Sequence, residues 1–472
     1  MSDNINNKIS KGFRWSFILN FLSFFITFLG GVVLARLAGP ELFGEYILLV
    51  AVIEMVSIVV AFSPGVILIQ NREYAIEKLA GNALYFSLLL CALYLVMVLL
   101  IISIFYADSM LYMLVLCAAK ITEIVSMVYV FTLDRLFLFK KKGVYLLIIN
   151  VFSLVVAIGV ALYDLSVWVF IVQYTLAKLI FAIVVWSLTR NHIEYSFEKK
   201  IFRLFFNVGK NLLFVSSLEK AKLHLDKIAL GYVLTLTDVG LYTRGRNLAQ
   251  MFQAQVFNAI RPVALSSFSE LQNDNFRSSK LFNALLFLYI CFSTSLFLVF
   301  VLFSDEIVLL LFGQAWIESA DILKYMALLG VIAPILVLGR VFLYGRALYS
   351  IVNKIAFVEL VSLILVYGAF FYTKSLLLLI SLLTFVGVIS LFLYYFSVNK
   401  IIDIRVGRLL ISPFLALIVC YYTFSYVEAT YFYDSFYLKI FALSPICITV
   451  YLASIYMFER AYIHKTIGYL KK

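Results

Sequence analysis

Along this chain, apolar runs of about twenty residues alternate with short polar segments. A window of about 19 residues finds roughly fourteen such runs, near 12–37, 42–68, 79–105, 110–134, 143–162, 165–188, 207–234, 241–268, 281–303, 322–339, 355–372, 376–396, 409–426 and 437–458. A run of that length, wound as a helix, crosses the hydrocarbon core of a bilayer. The runs do not alternate apolar and polar residues as the strands of a membrane barrel do. The pattern therefore predicts an all-α integral membrane protein with about 14 transmembrane helices. The first run continues to Leu37, beyond the length of a signal-sequence core, and no small-residue cleavage site follows it, so it is read as a span.

Composition agrees. Apolar and aromatic residues make up 64% of the 472 positions and charged residues 14%, and the mean hydropathy is +1.04. A soluble globule cannot bury that much apolar surface, so a soluble enzyme, a disordered chain and a disulfide scaffold are excluded. The five cysteines (Cys91, Cys117, Cys291, Cys420, Cys447) fall inside apolar runs without metal or redox spacing and read as apolar filler. The net charge of +12 is explained without nucleic acid by where the cations lie. With the N-terminus inside, the inner segments carry 25 Lys and Arg, and the outer loops carry Lys374 alone. This asymmetry places both termini in the cytoplasm. Laying the polar seventh run on the surface would move 12 of those cations outside, so the charge bias supports a true span there.

The chain repeats itself weakly. Leu42-Phe43-Gly44-Glu45-Tyr46 opens the second run as Asp238-Val239-Gly240-Leu241-Tyr242 opens the eighth, and Leu133-Asp134-Arg135-Leu136-Phe137 is echoed by Leu338-Gly339-Arg340-Val341-Phe342. The offset of six spans is even, so the halves run parallel and are related by an axis along the membrane normal. We expect two six-helix lobes, 1–205 and 206–400, around a central cavity, with two extra spans in 401–472. Gly30, Gly31, Pro64, Gly65, Pro262 and Pro334 lie inside spans. They are candidate gating bends, or the ordinary small and kinked positions of membrane helices.

A charge at the bilayer centre costs about 2.5–3.5 kcal/mol on insertion scales, so charged residues within spans must face water or one another. The seventh run carries two stripes. Glu219, Lys222 and Asp226 alternate in sign and suit internal ion pairs or ion coupling. Lys220, His224 and Lys227 form a basic stripe that suits an anionic group such as a phosphate or pyrophosphate; the other reading is snorkelling or pairing with acids of other spans. Lys120 and Glu123 stand three residues apart and can pair, and Glu54, Lys178 and Arg261 are further candidates to line the cavity.

Motifs for chemistry are missing. Gly209-Lys210 lacks the earlier glycine of a phosphate loop, and His192, His224 and His464 show no metal spacing. No outer loop exceeds about 20 residues or carries paired carboxylates with room for a catalytic site. We expect no enzyme, no catalytic residue, no cofactor and no metal.

Two segments carry a family resemblance. Leu34-Ala35-Arg36-Leu37-Ala38-Gly39-Pro40-Glu41-Leu42-Phe43-Gly44-Glu45-Tyr46 resembles a characteristic segment of the polysaccharide transporter family, as does Asp226-Lys227-Ile228-Ala229-Leu230-Gly231-Tyr232 followed by Val239-Gly240-Leu241-Tyr242. The family belongs to the multidrug/oligosaccharidyl-lipid/polysaccharide exporter superfamily, with 12 or 14 helices in two parallel lobes. The resemblance implies a flippase that moves undecaprenyl-pyrophosphate-linked oligosaccharide, for O-antigen or a similar surface polysaccharide, across the bacterial inner membrane. It further implies membrane lipids and the lipid-linked oligosaccharide as partners, proton or sodium coupling, and a polymerase and chain-length regulator acting afterwards. Asp226 matches the family segment, with helix pairing or ion coupling as its role. A cation-coupled drug antiporter of the same superfamily would call for an acidic cavity, and an O-antigen polymerase for a large outer loop.

Overall fold

The computed structural model describes the backbone of residues 2–60, 62, 64–71, 73–136, 138–431 and 443–470. Side chains are described throughout these except at 2–17, 66, 69, 70, 211, 212, 214, 215, 219, 259, 406–409, 428–431 and 459–470. Among the described residues every regular element is helical. The first unit, 1–240, contains α1 (Ser2–Val56), α2 (Pro64–Gln70), α3 (Ile76–Phe105), α4 (Met110–Arg135), α5 (Phe139–Tyr163), α6 (Trp168–Thr189), α7 (Lys199–Val233) and the first turn of α8 (Leu236–Glu270). The second, 241–472, contains the rest of α8, then α9 (Asn275–Leu311), α10 (Ser319–Gly345), α11 (Tyr349–Thr373), α12 (Leu376–Asn399), α13 (Val406–Tyr431) and α14 (Ser444–Leu470).

Ten of the described helical stretches are long and apolar enough to cross a membrane, which makes this a multi-pass membrane protein. They cover the predicted spans except 207–234, 241–268 and 437–458, so length and hydropathy together do not reach the expected fourteen. The first two exceptions are α7 and α8, each 35 residues and so about 52 Å long. They have ample length and too many polar residues. The third is an apolar helix of shorter extent, Ser444–Phe458; residues 437–442 of that predicted span lie outside the described residues.

The first two predicted spans run together as α1, interrupted at Gly39 (φ 76, ψ 176). A residue with a Cβ rarely takes that backbone conformation, and Pro40 supplies no N–H to continue the ladder. The second span breaks again near its far end. After Val56 comes a 3-10 turn, Ser57–Val60, and α2 opens on Pro64, a favoured first residue of a helix.

The repeat is visible in contacts that no sequence motif announces. In the first unit, Asn82 of α3 donates to Ser196 O (3.0 Å) and accepts from Glu198 N (2.8 Å). In the second, Asn283 of α9 donates to Asp403 O (2.9 Å) and accepts from Arg405 N (3.0 Å). Each asparagine also donates to the carbonyl four residues earlier. In each case it clamps the extended linker just before the next helix, α7 or α13, satisfying backbone groups that the linker cannot pair within itself. The packing follows the same order: α3 on α4, α4 on α6 and α5 on α6 in the first unit, and α9 on α10, α10 on α12 and α11 on α12 in the second.

The motif glycines have a steric reason. A Cβ on Gly44 would lie 1.8 Å from Leu236 O, and one on Gly240 would lie 2.1 Å from Pro40 O. The start of the second span and the first turn of α8 therefore touch backbone to backbone, which only glycine permits. Gly44→Ala should lower the thermal midpoint in detergent by several degrees, as overpacking of about 1–3 kcal/mol requires. Gly159→Ala, where nothing lies within 4 Å, is the control and should match the wild type.

Candidate functional site

The break after Val56 leaves carbonyls without helical partners, which hydrocarbon does not tolerate. Side chains take them up. Tyr94 OH donates to Ile53 O (3.2 Å) and Ser57 Oγ donates to Glu54 O (2.7 Å); at the far end of α2, Arg135 likewise donates to Leu68 O (2.6 Å). Discontinuous membrane helices of this kind line the binding sites of many transporters, and here charged residues of three other helices gather around the break.

Glu54 and Glu123 are the two acids. Lys120 bridges them, 2.6 Å from Glu54 Oε1 and 3.0 Å from Glu123 Oε2. Lys178 reaches Glu123 Oε1 at 2.6 Å while lying over the Tyr174 ring at 5.4 Å, and Tyr174 OH stands 3.4 Å from Glu123 Oε2. Lys220 donates to Ser57 Oγ at 2.6 Å and sits 3.9 Å from Glu54 Oε2. Four elements thus converge: Glu54 and Ser57 from α1 and its following turn, Lys120 and Glu123 from α4, Tyr174 and Lys178 from α6, and Lys220 from α7. Each helix presents a pair at i, i+3 or i, i+4, the spacing that puts two side chains on one face. Lys120 is the eleventh residue of 26 in α4 and Lys178 the eleventh of 22 in α6, so the network lies about 16 Å from each helix start, at mid-membrane depth.

The rest of the basic stripe on α7 adjoins it. His224 stands among the charges of Lys227, Glu54, Lys120 and Lys220, and Lys227 is within Coulombic reach of Glu54. The buried His224 Nδ1 has no hydrogen-bond partner among the described residues. No carboxylate among the described residues forms a salt bridge with Lys227. Among the described residues four lysines therefore face two glutamates, leaving two positive charges in excess. Lys220 and Lys227, the cations least engaged, are on the same stripe.

The sequence-predicted residues thus divide. Lys120, Lys178, Lys220, His224, Lys227, Glu54 and Glu123 come together. Asp226 is fully buried on another face of α7, Lys222 is half-buried, and the side chain of Glu219 lies outside the described residues. Arg261 and Pro262 on α8 are exposed. Pro262 and Pro334 lie inside helices that remain continuous through them. Gly31 lies within the helical run of α1, a Cβ on Gly30 would meet Leu154 at 2.8 Å, and one on Gly65 would meet the Phe131 ring at 1.9 Å. Ser57 and Tyr174 went unrecognised, since a lone Ser or Tyr in an apolar run carries no signal of its partner.

A family model described as "Polysaccharide biosynthesis protein" matches residues 33–321. The chain belongs to that family. Among solved structures it is similar to "Lipid II flippase MurJ, inward closed conformation", with a TM-score of 0.73 and 15% identity over 94% of this chain and 99% of that one. It is also similar to an inward-facing multidrug resistance MATE family transporter of the MOP superfamily, with a TM-score of 0.60 and 14% identity over 81% of this chain and 95% of that one. No curated protein matches the sequence. The predicted family and all-α membrane fold are borne out.

Removing one partner of a buried ion network costs more than the pair contributes, because the remaining charges are stranded. Glu123→Gln, which leaves Lys178 without its carboxylate, should destabilise the protein by about 3–5 kcal/mol. Adding Lys178→Met should recover part of that loss. Thermal unfolding in detergent reads both, and a Glu123→Gln protein as stable as wild type would contradict the pairing.

Proposed function

We propose that this protein is a flippase that moves an undecaprenyl-pyrophosphate-linked oligosaccharide repeat unit, of O-antigen or a related surface polysaccharide, across the bacterial inner membrane by alternating access. The observation that carries this reading is the surplus of positive charge at Lys220, His224 and Lys227 beside a network that already neutralises its own acids. A diphosphate brings about two negative charges, the number the excess can balance. A prenyl chain stays in the lipid while its head group enters a polar site, so only the head group pays for desolvation. Membership of a polysaccharide biosynthesis family and a fold shared with a protein named as a lipid II flippase support the same reading.

The lobes, on this reading, are residues 1–205 and 206–400, each ending near a clamped linker, with 401–472 as an addition. Glu54, Glu123 and Asp226 are the acids available for proton or sodium coupling. A unit charge crossing 100 mV yields about 2.3 kcal/mol, enough to bias such a cycle. A polymerase and its chain-length regulator would consume the product outside. A drug antiporter that binds cations is disfavoured, because its ligand would meet net positive charge at this network.

Deletion of the gene should cause single lipid-linked repeats to accumulate facing the cytoplasm, with loss of surface polymer. Complementation by Lys220→Ala combined with Lys227→Ala, at normal protein level, should restore less than about a tenth of the polymer, since loss of two charged contacts of about 1.5 kcal/mol or more each lowers affinity over a hundredfold. Full-length polymer at wild-type amount in either strain would reject the proposal.

A further inference from the structure

Ser57 is fully buried and stands where α1 gives way to the 3-10 turn Ser57–Val60. Its hydroxyl has one proton and two lone pairs. The proton goes to the nearer acceptor, Glu54 O at 2.7 Å, with Glu54 Oε2 also within reach at 3.3 Å. The lone pairs are left for Lys220, whose Nζ donates to Ser57 Oγ at 2.6 Å and lies 3.5 Å from Ser57 O. Lys220 sits much farther from the carboxylate, 3.9 Å from Glu54 Oε2. The closest tie between α7 and the break is therefore a neutral hydroxyl and not the glutamate.

Glu54 has a second cation, Lys120, at 2.6 Å. If Lys220 turns toward an anionic ligand, Glu54 remains paired and need not move. Ser57 loses its charged donor, and the short turn that depends on it loses its link to α7. We propose that Ser57 is a positioning residue that holds Lys220 against the helix break in the empty protein, and that a diphosphate ligand, by drawing Lys220 away, loosens the turn Ser57–Val60. Ligand binding on α7 is thereby relayed to the discontinuous second span. This inference rests on the head-group reading above.

Hydrogen–deuterium exchange on the full-length protein in detergent tests it, with farnesyl diphosphate as the probe. Saturating probe should speed exchange of the amides of residues 57–60 by about threefold or more in the wild type and in Ser57→Thr, which keeps the hydroxyl. Lys220→Ala should show the faster exchange without any probe. Ser57→Ala, in which Lys220 is already released, should bind farnesyl diphosphate about tenfold more tightly than wild type, yet show fast exchange from the start and no further response. A role confined to capping the helix end would make Ser57→Ala less stable but leave its amides responsive to the probe, and that result overturns the relay. Binding to wild type with no change at residues 57–60 also overturns the relay while leaving the head-group reading standing. No binding of farnesyl diphosphate to wild type removes both.

Discussion

Charge inside hydrocarbon has to be answered locally, and the first unit of this protein is organised around that demand. Two glutamates and four lysines meet there, with Lys120 and Lys178 near the middle of the apolar helices α4 and α6. In water such pairs would contribute little. Here each unanswered charge costs roughly what burying a large apolar side chain contributes. Lys120 is placed to answer both acids at once, 9% exposed between Glu54 and Glu123. That single ammonium fixes α4 against the second half of α1, and Lys178 fixes α6 against α4 through the same carboxylate.

The broken second span and the ion network depend on each other. An unbroken helix would use its own carbonyls, and Tyr94 would find no freed acceptor there. The break supplies acceptors at Ile53 O and Glu54 O, and the surrounding helices supply the donors. Irregular backbone at this depth survives only because it is buried in protein. The same constraint acts at the membrane edge, where the extended linkers before α7 and α13 are each satisfied by one asparagine.

Much of this was legible in the sequence, and the residues show why the rest was not. Apolar runs gave the helices, because hydropathy is summed over twenty positions. The break at Gly39-Pro40 falls between the first two runs, and two local backbone preferences explain it. Lys120 and Glu123 were visible as a pair because helix geometry joins positions three apart. Their further partners lie 66 and 55 residues away in sequence, at Glu54 and Lys178, and no local period encodes such a pairing. The break within α9 at Phe303 coincides with the end of the run 281–303, but the continuation of the helix beyond it was not legible. Asn82 and Asn283 are likewise plain polar residues until the linkers they hold are in place. The repeat was read from glycines whose role is steric, while its stronger sign is a pair of hydrogen-bonded clamps with different linker sequences, Ser196–Glu198 and Asp403–Arg405.

The excess of cations is what separates a scaffold from a site. A network built only to hold helices together gains most when its charges balance, since every unmatched ammonium must be desolvated without return. Here balance was within reach: Lys120 and Lys178 already match Glu54 and Glu123 in number. Lys220 and Lys227 add charge that folding does not require, and His224 adds a buried ring nitrogen without a described partner. They lie at i, i+4 and i+7 along one stripe of a helix too polar to count among the ten apolar stretches. The stability given up along that stripe is the physical ground for assigning an anionic ligand to α7 rather than to the better-paired lysines beside it.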